Sequence, residues 1–145
     1  LENVIEFVQA RHPFDVLAYV FLPDHIHTIW ELPQGDQDYP LRWRLIKSRF
    51  SHLYTDRGKL VVPESRKRKQ ERTIWQRRYW EHTIEDEDDL DNHIDYIHIN
   101  PVNHGLVNLP AEWEHSSFSR YVQEGRYDID WSMELNDDLW KSVRE

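Results

Sequence analysis

The first third of the chain carries a helical hydrophobic pattern followed by a strand-like one. Apolar residues recur at helical spacing from residue 1 to about residue 12. Residues 14–22 form a run of β-branched and aromatic side chains, Pro23-Asp24 interrupts it, and residues 25–32 alternate between polar and apolar. This order predicts a helix followed by two strands that a tight turn connects.

The second predicted strand presents two histidines on one face. Because the side-chain period of a strand is two, His25 and His27 project on the same side, together with Ile29 and Glu31. The sequence therefore predicts a pair of neighbouring imidazoles.

Two more helices and a third strand are predicted downstream. A helix over residues 41–54 places apolar side chains on one face and Arg44, Lys47 and Ser51 along its flank. The apolar positions of that helix are Trp43, Ile46, Phe50 and Leu53. Aromatic and β-branched residues between 73 and 84 favour a strand, and the tail holds packing residues of a short helix at Trp113, Phe118, Tyr121 and Val122.

The helix over residues 86–100 has the clearest pattern. Acidic residues occupy its first turn, where the helix dipole favours them, and Pro101 and Gly105 mark its predicted end. Its buried stripe is predicted at Leu90, Ile94 and Ile97. At about 100° per residue, a polar set falls together on a neighbouring face, consisting of Asp89, His93, Tyr96 and Asn100.

Composition predicts one globular domain over residues 1–145. The chain has 145 residues, 39% hydrophobic and 13% aromatic, which is enough for a core and too short for two comfortable domains. It has no cysteine, which excludes disulfides, thiolate metal sites and cysteine nucleophiles. The apolar run Val16–Leu22 is far shorter than the roughly 20 residues that span a bilayer. We expect a soluble protein with no membrane partner, in the cytoplasm by default.

Charge is separated along the chain. The net charge is −9, yet residues 41–78 contain thirteen Lys or Arg against three acidic residues. Residues 55–72 have the composition of a mobile basic loop, and residues 128–145 form an acidic tail. Such a segment can attract a polyanion to one face, although a solvated surface loop is the alternative.

Two side-chain pairs suggest a metal site. Imidazoles such as those of His25 and His27 suit divalent metals, but structural histidines are the alternative. Tyr96 and Asn100, four apart on a helix, present a phenol and an amide oxygen that could serve Mg²⁺ or Mn²⁺, although packing and helix termination are the alternatives.

Taken together, these features resemble a known family. The matching stretches are residues 18–27, 43–48, 74–84 and 96–107, followed by Trp113 with Ser116-Ser117-Phe118. In order and spacing they resemble the REP-associated tyrosine transposases, relatives of the single-tyrosine HUH transposases of small bacterial insertion sequences. The family has a β-strand before the first helix, and we expect that strand to be missing from this chain, which begins inside the helix.

The resemblance implies a fold, an activity and a site. The fold is α/β (α+β), an HUH-type antiparallel sheet with packed helices. The activity is metal-dependent cleavage and rejoining of single-stranded DNA at palindromic hairpin repeats, with Mg²⁺ or Mn²⁺ as cofactor. His25, His27 and Asn100 would bind the metal, and Tyr96 would be the nucleophile that forms a 5′-phosphotyrosine. We expect a bacterial, nucleoid-associated protein that is a monomer or a dimer, with the monomer favoured.

Single-stranded DNA is held by basic grooves with stacking aromatics. The candidate stacking residues are Trp75, Tyr79 and Trp80, although a place in the core is the favoured interpretation for each. The candidate DNA contacts are Arg44, Lys47, Arg49, Arg66, Lys67, Arg68, Lys69, Arg77 and Arg78.

Two other functions remain open. One is a hairpin-DNA-binding protein of the same fold without turnover. The other is a zinc hydrolase that uses His25, His27 and another residue such as His98 or Glu31. His93 is a candidate to accept the proton of Tyr96, with a solvated helix histidine as the favoured interpretation.

Overall fold

The computed structural model describes residues 1–56, 74–75 and 79–133, with the side chains of residues 55 and 56 excluded. The helices and strands within them are α1 Glu2–Gln9, β1 Asp15–Phe21, β2 Ile26–Glu31, α2 Tyr39–Asp56, α3 Glu87–Asn103, a 3-10 helix Pro110–Glu112 and α4 Phe118–Gln123. The chain forms two compact units, a first unit of residues 1–15 and 32–82 and a second unit of residues 16–31 and 83–145. The predicted mixed α/β class is confirmed.

Several sequence predictions fall partly outside the described residues. Residues 57–72 of the predicted basic loop lie outside the described residues, and so do residues 134–145 of the predicted acidic tail. The strand expected between 73 and 84 is wrong for its described residues, since 74–75 form a turn and bend and 79–84 have no regular structure. Aromatic packing replaces strand pairing there, because the Trp75 ring contacts Phe50 of α2 at 5.5 Å and the Tyr79 ring lies 6.1 Å from Trp43.

The predicted hairpin forms the sheet of the second unit. β1 and β2 pair through a turn at Pro23-Asp24, where the Leu22 amide donates to the His25 carbonyl at 2.9 Å. On the other edge of β1, the Ser117 amide donates to the Tyr19 carbonyl at 2.9 Å. This pairing covers an edge that would otherwise expose unpaired backbone groups.

Helix α3 packs on this hairpin through the predicted apolar stripe. Ile94 and Ile97 are buried against Ala18, Val20 and Ile29 of the two strands. Leu90, at the start of the stripe, is partly buried against the same cluster. Since Ile29 shares its strand face with His25 and His27, the packing also turns that face towards α3.

The ends of α3 follow from hydrogen bonding. Asp86 accepts a bond from the Asp89 amide at 2.8 Å and caps the N-terminus. The expected end at Asn100 is wrong, because α3 continues through Pro101 to Asn103. Pro101 removes only one backbone hydrogen bond from the helix, which continues past it. The helix ends before Gly105, which has a φ of +67°. There the amide of Gly105 donates to the Val102 carbonyl, and the amide of Leu106 donates to the Pro101 carbonyl.

In the first unit, α1 packs against the much longer α2. Ile46 is fully buried, as predicted, but Leu53 is 44% exposed and Ser51 is buried. With 8 residues against 18, α1 is about 12 Å long and α2 about 27 Å, at about 1.5 Å per residue. The shorter helix therefore cannot cover the whole apolar face of α2, and Leu53 in the last turns stays exposed.

His98 belongs to the buried interior of the second unit and not to a metal site. It is fully buried, its Nε2 lies 2.8 Å from Ser117 Oγ and its Nδ1 lies 3.4 Å from the Tyr127 hydroxyl. Both ring nitrogens are thus engaged, which is incompatible with the suggestion of His98 as a zinc ligand. Burial, assisted by the positive charges of Arg120 and Arg126, lowers the pKa of His98 to about 3.

The free energy of unfolding should therefore decrease as the pH falls from about 6.5 towards 3. The unfolded chain binds a proton at His98 near pH 6.5, whereas the folded chain does not until about pH 3. At pH 5 the loss from this residue should be about 2 kcal/mol. Urea denaturation at pH 7.5, 6 and 5 should show a flatter dependence for His98→Gln than for the wild type. Parallel curves for the two proteins would contradict the assignment.

Candidate active site

The hairpin brings two imidazoles to one place. His25 ends the tight turn and His27 lies in β2. Their rings are 5.0 Å apart between centroids and nearly perpendicular, at 88°. The predicted neighbouring pair is therefore present on the side of the hairpin that faces α3.

Helix α3 and the residue that follows it each add one side chain to this pair. The ring of Tyr96, 8% exposed, meets the His27 ring edge-on at 5.4 Å. About two turns later, the ring of His104, the residue that follows the last residue of α3, lies 5.0 Å from the ring of His25. Packing of α3 on the hairpin thus joins three of the predicted site residues, His25, His27 and Tyr96, and adds His104.

Asn100 lies on α3 between these two residues, four residues after Tyr96 and four before His104. It is fully buried, and among the described residues neither atom of its side-chain amide has a hydrogen-bond partner. An unsatisfied buried polar group costs about 1–3 kcal/mol. Such a cost is offset when the group binds a ligand, and an amide oxygen is a donor that a hard divalent cation accepts.

Asp24 interacts directly with one of these histidines. Its Oδ1 lies 2.6 Å from His25 Nδ1. This hydrogen bond, with the charge of His25 and a smaller effect of His104, lowers the pKa of the Asp24 carboxyl below its usual value. Sequence reasoning missed both Asp24 and His104. The signals available for them were the position of Asp24 directly before His25 and the four-residue spacing from Asn100 to His104.

His93 is not the solvated histidine that was the favoured interpretation. It is 7% exposed, and its Nδ1 lies 2.8 Å from the carbonyl of Asp89 and 3.0 Å from the Asp89 carboxylate. Asp89, one turn earlier on α3, therefore holds the ring against the helix. A role for His93 in accepting the Tyr96 proton stays a prediction.

The described basic candidates differ in their surroundings. Arg44 is exposed, whereas Arg49 stacks on Phe7 of α1, 3.3 Å from the ring centroid. The ammonium of Lys47 lies 5.2 Å from the Tyr79 ring, and its partial burial lowers its pKa. The other six candidates lie outside the described residues, namely Arg66, Lys67, Arg68, Lys69, Arg77 and Arg78.

The candidate stacking residues also differ. Trp80 is 54% exposed and stacks on His82, with ring centroids 5.8 Å apart. Tyr79 is 40% exposed, while Trp75 is half-buried beside Phe50. Trp80 therefore offers the most accessible aromatic surface of the three.

No helix in the described part of the chain is long and apolar enough to cross a membrane.

Comparison with known proteins identifies the family. Residues 1–100 match the family model described as "Transposase IS200 like". The chain is 41% identical over 137 residues to the "REP-associated tyrosine transposase" of Escherichia coli (strain K12), covering 94% of this chain and 74% of that protein. It is 42% identical over 121 residues to a "Putative REP-associated tyrosine transposase" of Haemophilus influenzae (strain ATCC 51907 / DSM 11121 / KW20 / Rd), covering 83% of this chain and 68% of that one.

A solved structure agrees with these sequence matches. "Structure of the REP associates tyrosine transposase bound to a REP hairpin" superposes with a TM-score of 0.78 at 40% identity, over 94% of this chain and 73% of that one. The chain therefore belongs to the IS200-like transposase family, among the REP-associated tyrosine transposases.

Proposed function

We propose that this transposase cleaves and rejoins single-stranded DNA at hairpin repeats in a reaction that needs a divalent metal. The observation that carries the proposal is the convergence of His25, His27 and Tyr96, with the unsatisfied amide of Asn100 one turn from the tyrosine. A nucleophile beside metal-binding side chains suits metal-assisted phosphodiester cleavage through a covalent intermediate.

The metal would be held by His25, His27 and Asn100. Two imidazoles and one amide oxygen are neutral ligands, which Mg²⁺ and Mn²⁺ both accept. When bound, the ion would polarise a non-bridging oxygen of the scissile phosphate and offset its developing charge. The three residues come from two elements, so the packing of α3 on the hairpin sets their spacing.

Tyr96 would act as the nucleophile. Its hydroxyl oxygen attacks phosphorus and loses its proton, while the bond from phosphorus to the 3′ oxygen breaks and that oxygen leaves as a 3′-hydroxyl. The product is a 5′-phosphotyrosine, which the same or another 3′-hydroxyl can later attack. Burial of the Tyr96 ring against His27 holds the phenol in one orientation and limits the motion that would misalign it.

The DNA would be a hairpin like the REP hairpin bound in the related structure. Arg44 and Lys47 on α2 and the exposed Trp80 supply charge and a stacking surface in the first unit. The basic residues outside the described ranges, and Arg49, would add phosphate contacts. We expect the protein to act as a monomer on the bacterial nucleoid.

A covalent-adduct assay tests the proposal. Protein is mixed with labelled hairpin oligonucleotides with single-stranded flanks, in Mn²⁺, in Mg²⁺ or in EDTA, and separated under denaturing conditions. We expect a denaturation-resistant adduct and a free 3′-hydroxyl product with either metal and none in EDTA. Hairpin binding without any adduct would instead indicate a DNA-binding protein without turnover.

Asn100→Ala should weaken metal-dependent cleavage by at least about 100-fold while hairpin binding in EDTA stays within about threefold of wild type. The side-chain amide of Asn100 would contribute to metal binding and not to DNA binding. Cleavage rates and gel-shift titrations give the two values.

Asn92→Ala is the matched control, since Asn92 is an exposed asparagine on the same helix. It should leave both values unchanged. Equal losses of cleavage and binding in Asn100→Ala would show that Asn100 has only a structural role.

A further inference from the structure

We propose that Asp24 is a positioning residue that holds His25 with its Nε2 directed to the metal. The inference rests on the proposed function, because it assigns a role around the metal that His25 would bind. It concerns a residue of the β1–β2 turn that lies outside the proposed ligand set.

The hydrogen bond between Asp24 and His25 determines which ring nitrogen is available. A neutral imidazole carries its proton on one nitrogen and a lone pair on the other. Because an ionised carboxylate can only accept, the 2.6 Å contact requires that Nδ1 of His25 carries the proton and donates to Asp24 Oδ1. The lone pair is then on Nε2, the nitrogen farther from the backbone. A carboxylate bound to the second nitrogen of a ligating histidine also makes the ligand more basic.

The turn keeps the two side chains in this relation. Pro23 restricts its own backbone φ angle, and the bond from the Leu22 amide to the His25 carbonyl closes the turn around Asp24. Ring rotation of His25 is limited as well, because the rings of His27 and His104 each lie 5.0 Å from it. The imidazole of His25 that contacts Asp24 is therefore also held in place by the rings of His27 and His104.

The size of the effect should be moderate. The side chain of Asp24 is 84% exposed, whereas that of His25 is 33% exposed. Water can replace part of the hydrogen bonding that an exposed carboxylate provides to His25. Loss of a residue that is hydrogen-bonded to a metal ligand lowers metal affinity by about 10–100-fold, and we expect the lower end of that range here.

Mn²⁺ binding by calorimetry tests this role without catalysis. We expect Asp24→Ala to weaken Mn²⁺ binding about 10-fold, and Asp24→Asn to weaken it less because an amide oxygen still accepts the bond from Nδ1. Asp130→Asn removes one negative charge from an exposed aspartate in the same unit and should change affinity less than twofold. Hairpin binding in EDTA should be the same for all four proteins.

The protonated nitrogen of His25 can be observed directly. Long-range ¹H–¹⁵N spectra of the metal-free wild type at pH 8 should show the Nδ1–H form of His25, and those of Asp24→Ala should show a mixture that includes Nε2–H. A wild type with the Nε2–H form, or an Asp24→Ala variant with unchanged spectrum and Mn²⁺ affinity, would overturn the inference. A wild type that binds no Mn²⁺ even with hairpin DNA would instead contradict the proposed function.

Discussion

Tyr96→Phe is expected to abolish the covalent protein–DNA adduct and to leave hairpin binding within about twofold of wild type. The substitution removes one oxygen and retains the ring, which is buried and packed edge-on against His27. Without the nucleophile, strand cleavage should fall by at least about 10³-fold, the scale on which removal of a covalent nucleophile acts. Denaturing gels with labelled hairpin DNA measure the adduct, and gel shifts measure binding.

Tyr54→Phe provides the matched control. Tyr54 lies on α2, is 37% exposed and stacks on Phe50. The same loss of one hydroxyl there should leave the adduct unchanged. An adduct that persists in Tyr96→Phe would place the nucleophile on another residue, and peptide mapping of the attached nucleotide would then identify it.

Arg42→Met is expected to lower the free energy of unfolding by about 1.5–3 kcal/mol, the range for loss of hydrogen bonds to a charged group. Arg42 is only 2% exposed. Its guanidinium donates to both carboxylate oxygens of Asp36, at 2.6 and 3.2 Å, and to the carbonyls of His12, Pro13 and Asp38. Removal of the guanidinium takes one donor from each of these acceptors, and Asp36 Oδ1 keeps the bond from the Asp38 amide. The bond from Arg42 is also the main reason that the pKa of Asp36 lies below its usual value.

Arg44→Met is the control for loss of a positive charge from the same helix. Arg44 is exposed, and substitutions of this kind usually change stability by less than about 0.5 kcal/mol. Urea denaturation of the two variants and the wild type measures the difference. A loss in Arg42→Met within about 1 kcal/mol of that in Arg44→Met would show that water replaces the guanidinium at low cost.

Arg42 also illustrates what the hydrophobic pattern of α2 did not reveal. The helix itself was predicted, because its apolar spacing depends only on local geometry. The helical spacing gives no sign that Arg42 is buried, yet it lies where residues 12, 13, 36 and 38 present oxygens to it. Asp36 and Asp38 lie just before α2, but His12 and Pro13 lie 30 and 29 positions from Arg42, so spacing along α2 could not predict this environment.

The incorrect prediction of a strand between residues 73 and 84 has a related cause. Its aromatic residues have high strand propensity, but that propensity mostly measures how well a side chain packs on a sheet surface. Trp75 and Tyr79 pack against the aromatic side chains of α2 instead. Tertiary packing therefore overrode the local preference.

The sequence by itself determined the hairpin, the face that carries His25 and His27, and the helix that carries Tyr96 and Asn100. A strand has a period of two and a helix about 3.6 residues per turn, so local geometry assigns these side chains to faces. The family resemblance followed from the same motifs and is confirmed by the matches to known transposases.

Only the tertiary structure decided which of these faces meet. Packing of Ile94 and Ile97 on the hairpin brings Tyr96 to His27 and His104 to His25, and it buries Asn100 without a partner among the described residues. Which elements contact each other, and which side chains they bury, depends on how all the hydrophobic surfaces of the unit pack together. The residue spacing within one helix or strand does not specify this. The bond between Asp24 and His25 joins sequence neighbours, but whether these two side chains meet depends on the conformation of the turn that the sheet closes.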